Sequence, residues 1–260
     1  MLVKDQIKNV YHHKSLLYEL VVNTIRKRYR RSMLGVLWCM LNPLMIMGVQ
    51  AFIFSSIFRS SIHNYLLYLI TGQILFNFFS EGTNMGMNSI ILNAPLIKKV
   101  RVPKYIFPFA AVISSCVSLI FSLPALVIIM IATKNFPTVA TPMFILPLLL
   151  MLVFCMGMAL LLCTMAVFFR DVLHLWLVFL KLLNYATPIF YSADFISDRR
   201  IAILRLNPLY HYIKAFRAPL YLGAFPQLET IVFCAIASVI VLAVGSLAFR
   251  CNQDKFILYV

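Results

Sequence analysis

Hydrophobic residues in this chain gather in six long runs, and short segments between the runs hold most of the charge. The runs lie at about 36–58, 65–90, 106–132, 142–168, 172–190 and 229–249. A bilayer core takes about 20 apolar residues of helix, and each run comes near that length or exceeds it. The pattern therefore predicts an all-α integral membrane protein with six transmembrane helices, in a single domain over residues 1–260.

A basic cluster precedes the first run and indicates its orientation. Five of the six residues at 26–31 are Lys or Arg, and such a cluster keeps its side of the membrane in the cytoplasm. With both chain ends inside, fifteen of the 23 Lys and Arg residues lie in cytoplasmic segments, seven lie outside, and Lys181 lies within a run. We therefore expect a cytoplasmic N-terminal part at 1–35, a membrane part at 36–249 and a cytoplasmic tail at 250–260.

Two segments outside the runs also have helical periodicity. Residues 12–31 repeat apolar side chains at helical spacing and end in cations, which predicts an amphipathic helix at the cytoplasmic interface. The pattern alone leaves open whether this helix binds a protein or only lipid. Residues 191–227 form the longest external loop, and their aromatic and apolar content predicts short re-entrant helices between the fifth and sixth spans.

Composition agrees with a membrane protein and limits the chemistry that the chain can do. Hydrophobic residues make up 62% of it, which is more than one aqueous core buries. The net charge is +15, but the cations flank apolar runs, so we expect contact with anionic lipid headgroups and no nucleic-acid partner. The sequence has no P-loop and no nucleophile–histidine–acid set, so we expect no cofactor site, no metal site and no enzyme activity in this chain.

One hydrophobic run carries a stripe of polar residues. The stripe consists of Gln73, Asn77, Glu81, Asn84 and Asn88. Successive members are three or four positions apart, which places them on one helix face. Polar groups in lipid are costly, so this face meets either protein or water. The stripe therefore either lines a hydrophilic conduit or joins helices through interhelical hydrogen bonds.

A second ionisable group lies near the middle of the fifth run. This group is Lys181, a further candidate to line a conduit. Its charge makes Glu81 a candidate partner. The alternative is that the lysine extends along its own stem towards the membrane surface.

Short motifs occur along the chain in a definite order. They are RYRRSMLGVLW at 28–38, LNPL at 41–44, LITG at 69–72, NAPLIKKVRVP at 93–103, FFRD at 168–171, TPIFY at 187–191 and LNPL at 206–209. Together they resemble the permease subunit of type-2 ABC polysaccharide exporters, which move O-antigen, capsular polysaccharide or wall teichoic acid. The resemblance extends over nearly the whole chain.

The resemblance implies an assembly in the bacterial cytoplasmic (inner) membrane, with both termini in the cytoplasm. It implies a homodimer of this chain, with two copies of a separate ATPase subunit that binds ATP and Mg²⁺. The substrate would be a lipid-linked polysaccharide, first of all O-antigen on undecaprenyl pyrophosphate, with wall teichoic acid or capsule as the alternative. A different class of function, an ion-coupled secondary transporter, would use Glu81 and Lys181.

Three groups of candidate residues accompany the resemblance. Candidates for coupling to the ATPase are Tyr18, Lys98, Lys99, Arg101, Arg170 and Asp171. Candidates for stacking on sugar rings or gating the outer mouth are Tyr65, Phe76, Phe190, Tyr191, Tyr210 and Tyr212, although aromatic residues are common at both membrane surfaces. Candidates for attracting the lipid pyrophosphate, or only for orienting the first span, are Arg26, Arg28, Arg30 and Arg31.

Overall fold

The computed structural model describes residues 14–29, 33–58, 62–99, 102–192 and 204–259, and in these residues it contains helices but no β-strand. The α-helices are α1 (Lys14–Tyr29), α2 (Trp38–Phe58), α3 (Tyr65–Leu92), α4 (Ala94–Lys99), α5 (Ile106–Ala132), α6 (Ile145–Phe168), α7 (Asp171–Ala186), α8 (Pro208–Leu220), α9 (Leu228–Asn252) and α10 (Phe256–Tyr259). Short 3₁₀ turns at Gly35–Leu37, Thr141–Phe144 and Gln253–Lys255 precede α2, α6 and α10. The all-helical class is confirmed.

Helix α3 is the centre of the bundle. Helices α2, α5, α6, α7 and α8 all pack against it. Its 28 residues give a length of about 42 Å at 1.5 Å per residue. Leu67, Leu69, Ile70 and Leu75 on this helix are fully buried. The helix that carries the polar stripe therefore also makes much of the hydrophobic core.

Three helical segments of the described chain are long and apolar enough to span a membrane, namely Ile106–Ala132, Thr141–Phe168 and Leu228–Lys255. A shorter apolar segment, Trp38–Ile53, lies in α2. Helix α3, with 28 residues, is long enough to span a membrane, but it is not among these three segments. Its polar stripe lowers its mean hydropathy. Large apolar side chains are exposed along α9, as expected of a surface that faces lipid. The total of six spans stays a prediction.

The fifth predicted run, 172–190, is only partly helical. Helix α7 ends at Ala186, and residues 187–191 are bent and non-helical. A proline ring disfavours the helical conformation of the residue before it, and Thr187 stands directly before Pro188. The 16 residues of α7 span about 24 Å, less than the roughly 30 Å of a bilayer core. The predicted end of this span was therefore wrong by four residues.

A second apolar cluster lies at the end of the bundle that carries α1, α4 and α10, called the α1 end below. Phe256 of α10 is buried there against the rings of Phe168 and Phe249. Leu17 and Leu20 of α1 pack against the same cluster. The helix predicted over 12–31 is thus present as α1, and its apolar face is covered by protein.

Helices α6 and α9 approach each other so closely that their backbones touch. Gly157 of α6 lies against Gly245 of α9, and a β-carbon at Gly245 would overlap the carbonyl group of Gly157. Small residues permit this distance between helices, and van der Waals packing then holds the pair. The α6–α9 pair is therefore a tightly fitted unit of the bundle.

Replacing Gly245 by alanine should separate α6 from α9. We expect the Gly245→Ala variant to lose about 1–3 kcal/mol of stability, because the overlapping atoms are backbone and cannot move aside. The measurement is the thermal unfolding midpoint of the purified protein in detergent. Gly48→Ala is the matched control, since a β-carbon at Gly48 meets nothing within 4 Å. Equal midpoints for the two variants would contradict the close fit.

Candidate functional site

A polar cavity of about 560 Å³ opens between α2, α3 and α5, near the middle of α3. Three members of the predicted stripe line it: Asn77, Glu81 and Asn84. The other described lining residues are Trp38, Cys39, Asn42, Pro43, Ile74, Phe78, Ser80, Ser115, Ser118, Leu119 and Ser122. This polar cavity is of the size that ligand sites in proteins usually have.

Glu81 is anchored to the opposite wall of the polar cavity. Ser118 Oγ on α5 donates a hydrogen bond of 2.9 Å to Glu81 Oε1. Ser115 and Ser122 lie three and four positions away on the same face of α5, and each donates to a carbonyl oxygen of its own helix. Their hydroxyl oxygens can still accept hydrogen bonds from a ligand. The cavity therefore presents a row of hydroxyl groups opposite the amides of α3.

The two ends of the stripe lie outside the polar cavity. Gln73 is buried, and its Oε1 has no hydrogen-bond partner among the described residues. Asn88 Nδ2 donates to the backbone carbonyl of Asn84 at 2.8 Å and lies 3.3 Å from Asn84 Oδ1. The middle of the stripe therefore lines a cavity and bonds to α5 through Glu81, whereas Asn88 makes hydrogen bonds within its own helix. The choice between a conduit and a helix contact stays a prediction.

Lys181 lies on α7, away from the polar cavity. Trp176 and Leu180 are the buried residues of α7, and Trp176 Nε1 donates to Thr83 Oγ1 on α3 at 3.2 Å. Lys181 follows Leu180 on the exposed side of the helix. It is absent from the lining of the cavity that contains Glu81. A role for Lys181 in a conduit stays a prediction.

At the opposite end of the bundle, called the α8 end, the non-helical residues after α7 are held by side chains. Tyr65 Oη donates to the carbonyl of Phe190 at 2.9 Å. Tyr68 Oη lies 2.7 Å from the carbonyl of Tyr191 and 3.1 Å from that of Pro188. The tyrosines of α3 thus replace hydrogen bonds that a continuing helix would have supplied.

Arg217 of α8 completes this set of bonds from a buried position. Its Nη1 donates to the carbonyl of Pro188 at 2.7 Å, and its Nη2 donates to those of Tyr68 at 3.0 Å and Ile189 at 3.1 Å. The guanidinium carbon lies 3.5 Å from the centre of the Tyr68 ring, which adds a cation–π contact. Gly72 leaves the room for it, since a β-carbon there would lie 2.5 Å from Nη2.

The six predicted aromatic candidates lie around this end of the bundle or in its core. Tyr65, Phe76, Phe190 and Tyr212 are buried, while Tyr191 and Tyr210 are partly exposed. None of the six is among the described residues that line the polar cavity. Tyr212 Oη donates to the carbonyl of Cys234 at 2.8 Å and so joins α8 to α9. The aromatic residues that do line the cavity are Trp38 of α2, which is 43% exposed, and Phe78 of α3, which is buried.

Most predicted coupling residues are exposed at the α1 end. Lys98 and Lys99 lie at the end of α4, and Arg170 and Asp171 form the turn between α6 and α7. Tyr18 of α1 is 65% exposed. Arg101 lies outside the described residues.

The predicted basic cluster is described only in part. Arg26 is exposed on α1. Arg30 and Arg31, together with the side chain of Arg28, lie outside the described part of the chain.

Comparison with known proteins decides the family. The family profile described as ABC-2 type transporter matches residues 15–221. The chain belongs to the ABC-2 type transporter family. It is 30% identical over 255 residues to the O-antigen export system permease protein RfbA of Klebsiella pneumoniae, covering 96% of this chain and 98% of that protein.

Two further relatives of this ABC-2 type transporter chain extend the comparison. The O-antigen export system permease protein RfbA of Myxococcus xanthus is 29% identical over 252 residues, covering 96% of this chain and 97% of the relative. The capsule polysaccharide export inner-membrane protein CtrC of Neisseria meningitidis is 22% identical over 247 residues, covering 92% of this chain and 91% of the relative.

The serines of α5 and Arg217 in this ABC-2 type transporter chain were not predicted from the sequence to be functional residues. The serines had a signal, since Ser115, Ser118 and Ser122 are spaced by three and four positions in an apolar run. Arg217 had a weaker sequence signal, namely a charged residue beside Phe216 on the otherwise apolar, buried face of α8. Serines in apolar helices often bond to their own backbone, so spacing alone did not mark a cavity.

Removing the Arg217 side chain should loosen the segment after α7. We expect Arg217→Met to lose about 2–4 kcal/mol of stability, because buried carbonyl oxygens then lack donors. The measurement is the thermal unfolding midpoint in detergent. Lys214→Met on the same helix is the control, since Lys214 is exposed and bonds only to Gln227 Oε1 in the described residues. A midpoint for Arg217→Met equal to that of the control would contradict this role.

Proposed function

We propose that this chain is the permease subunit of an ABC transporter that exports a lipid-linked polysaccharide across the bacterial cytoplasmic membrane. The observation that carries the proposal is the polar cavity at mid-height of the helix bundle. Relatives matched over almost their whole length are O-antigen and capsule export proteins, and they support the same function. O-antigen is the first expectation because the relatives with higher identity carry that name.

The chemistry of the polar cavity suits a carbohydrate. Sugar hydroxyl groups both donate and accept hydrogen bonds, and so do the serine hydroxyls and asparagine amides that line the cavity. Trp38 offers an aromatic surface next to these groups. A polymer that moves through a conduit needs weak, repeated contacts, since tight binding would stop it. Single hydrogen bonds from neutral side chains provide such contacts.

In the proposed assembly this chain has six spans, its termini are cytoplasmic, and two copies form a dimer around the conduit. Two copies of a separate ATPase bind ATP and Mg²⁺ and hydrolyse the nucleotide, so this chain itself has a transport role. The exposed residues of α4 and of the α6–α7 turn are the proposed contacts with the ATPase. The basic residues from Arg26 onward would attract the pyrophosphate of an undecaprenyl carrier.

Two other functions are alternatives to O-antigen export. A capsule export permease has the same architecture, and the similarity to CtrC favours it as the second candidate. An ion-coupled secondary transporter would need Glu81 and Lys181 to act together. The hydrogen bond from Ser118 to Glu81 and the exposed position of Lys181 give that alternative no support.

Water should reach the polar cavity but not the buried face of α3. In a variant without native cysteines, we expect Asn77→Cys, Glu81→Cys and Asn84→Cys to react in intact cells with a membrane-impermeant thiol reagent. Leu75→Cys on the same helix is the control, because Leu75 is fully buried and should stay unlabelled. The readout is the labelled fraction of each purified variant. Equal protection of all four positions would reject a hydrophilic conduit.

Export should require both this chain and an active partner ATPase. A strain that lacks the chain should accumulate unexported lipid-linked glycan inside the cell, and the wild-type gene should restore glycan at the surface. Restoration should fail when the partner ATPase carries an inactivating substitution. Export that continues without an active ATPase, but stops when the proton gradient is removed, would replace this proposal with the secondary transporter.

A further inference from the structure

Two elements at the α1 end are joined through the last helix of the described chain. Helix α10 packs on both α4 and α6, whereas α4 and α6 have no comparable contact with each other among the described elements. The 3₁₀ turn Gln253–Lys255 and α10 (Phe256–Tyr259) together form this connection, called the C-terminal bridge below. The C-terminal bridge therefore lies between the two proposed contacts with the ATPase, α4 and the α6–α7 turn.

Phe256 holds the C-terminal bridge against α6. It is 1% exposed, and its ring centre lies 6.0 Å from that of Phe168 at the end of α6 and 5.2 Å from that of Phe249 on α9. The ring of Tyr259 lies edge-on to Phe168, with 5.0 Å between the ring centres. A helix of four residues is not stable on its own, so these ring contacts determine where α10 lies.

Lys104 holds the other end of the C-terminal bridge. Its Nζ donates a hydrogen bond of 2.5 Å to the carbonyl oxygen of Gln253, the residue that follows the end of α9. A cation at this point satisfies a carbonyl group that the helix leaves free, and it interacts favourably with the helix dipole. Lys104 stands just before α5, so the C-terminal bridge is attached at its two ends to different parts of the bundle.

Helix α4 depends on the C-terminal bridge for its position. It has six residues, none of them buried, and it packs on α3 and α10. Ile97 of α4 packs against the apolar cluster that contains Phe256. Asn93 is a non-helical turn residue between α3 and α4. Without the support of α10, α4 would turn about Asn93.

We propose that the C-terminal bridge makes α4 and the α6–α7 turn move together, and that Phe256 is the positioning residue on which this movement depends. The inference rests on the proposed function, in which both elements contact the ATPase. A displacement that the ATPase imposes on α4 alone would be lost by rotation at Asn93. With the C-terminal bridge in place, the same displacement reaches α6, because closely packed side chains are nearly incompressible and transmit it.

The test measures export and ATP hydrolysis for the same variants. Each variant is produced with its partner ATPase in a strain that lacks the native gene, and surface glycan is measured relative to the permease in the membrane by immunoblot. The complex is then purified in detergent, and its ATPase content and rate of ATP hydrolysis are measured. Surface glycan divided by that rate is the export ratio. A merely structural role would lower abundance, hydrolysis and export in parallel and leave the export ratio unchanged.

Removing the Phe256 ring should uncouple the two activities. We expect Phe256→Ala to keep its ATPase and to hydrolyse ATP within about twofold of the wild-type rate, while the export ratio falls about tenfold. Phe256→Leu keeps a large apolar side chain in the cluster and should restore most of the export ratio. Lys104→Met removes the hydrogen bond to Gln253 and leaves the rings in place, so it should lower the export ratio by a smaller factor.

Leu258→Ala is the matched control for the loss of an apolar side chain from α10. Leu258 is 81% exposed and is not part of the apolar cluster around Phe256. This variant should keep the wild-type export ratio.

Each outcome decides a separate question. A wild-type export ratio in Phe256→Ala, an equal fall in Leu258→Ala, or loss of the ATPase from the Phe256→Ala complex overturns the inference and leaves the proposed function standing. Absence of ATP-dependent export in the wild type counts against the proposed function itself. Should Phe256→Ala fail to accumulate in the membrane, Lys104→Met takes its place, and a wild-type export ratio in that variant overturns the inference.

Discussion

The bundle depends on one buried cation at its α8 end. Where α7 stops at Ala186, the buried carbonyl groups that follow need donors from other parts of the bundle. Arg217 provides donors to three carbonyls at once, including one on α3, while its planar group lies on the Tyr68 ring. This bonding ties α3, α8 and the residues after α7 together. An arginine suits the position better than a lysine, because its fixed fork of N–H groups reaches several acceptors without moving.

Much of the fold follows from the sequence because the bilayer imposes a simple rule. Apolar runs of about 20 residues must be helical, and helices of the described chain occupy the predicted runs from α2 to α9. The end of the helix in the fifth run could not be predicted in this way. Hydropathy counts Ile189 and Phe190 as apolar whether their backbone is helical or not. Their buried non-helical state depends on Tyr65 and Arg217, which are distant in the sequence.

The polar cavity was predictable in part. Spacing of three and four positions put Asn77, Glu81 and Asn84 on one face of α3, and they share one cavity. The same spacing also included Gln73 and Asn88, because helical periodicity describes a face and says nothing about which neighbour covers each turn. Which neighbour covers each turn of α3 depends on how α2 and α5 pack against it. Tertiary packing of this kind leaves no signal in the local sequence.

The backbone contact between Gly157 and Gly245 restricts how this protein can change shape. Two helices whose main chains touch have no side chains between them that could adjust to a slide, so α6 and α9 should travel as one rigid block. A relative movement of helices within this chain is then easier at α2, which packs less extensively against α3 and α5 than α6 packs against α9.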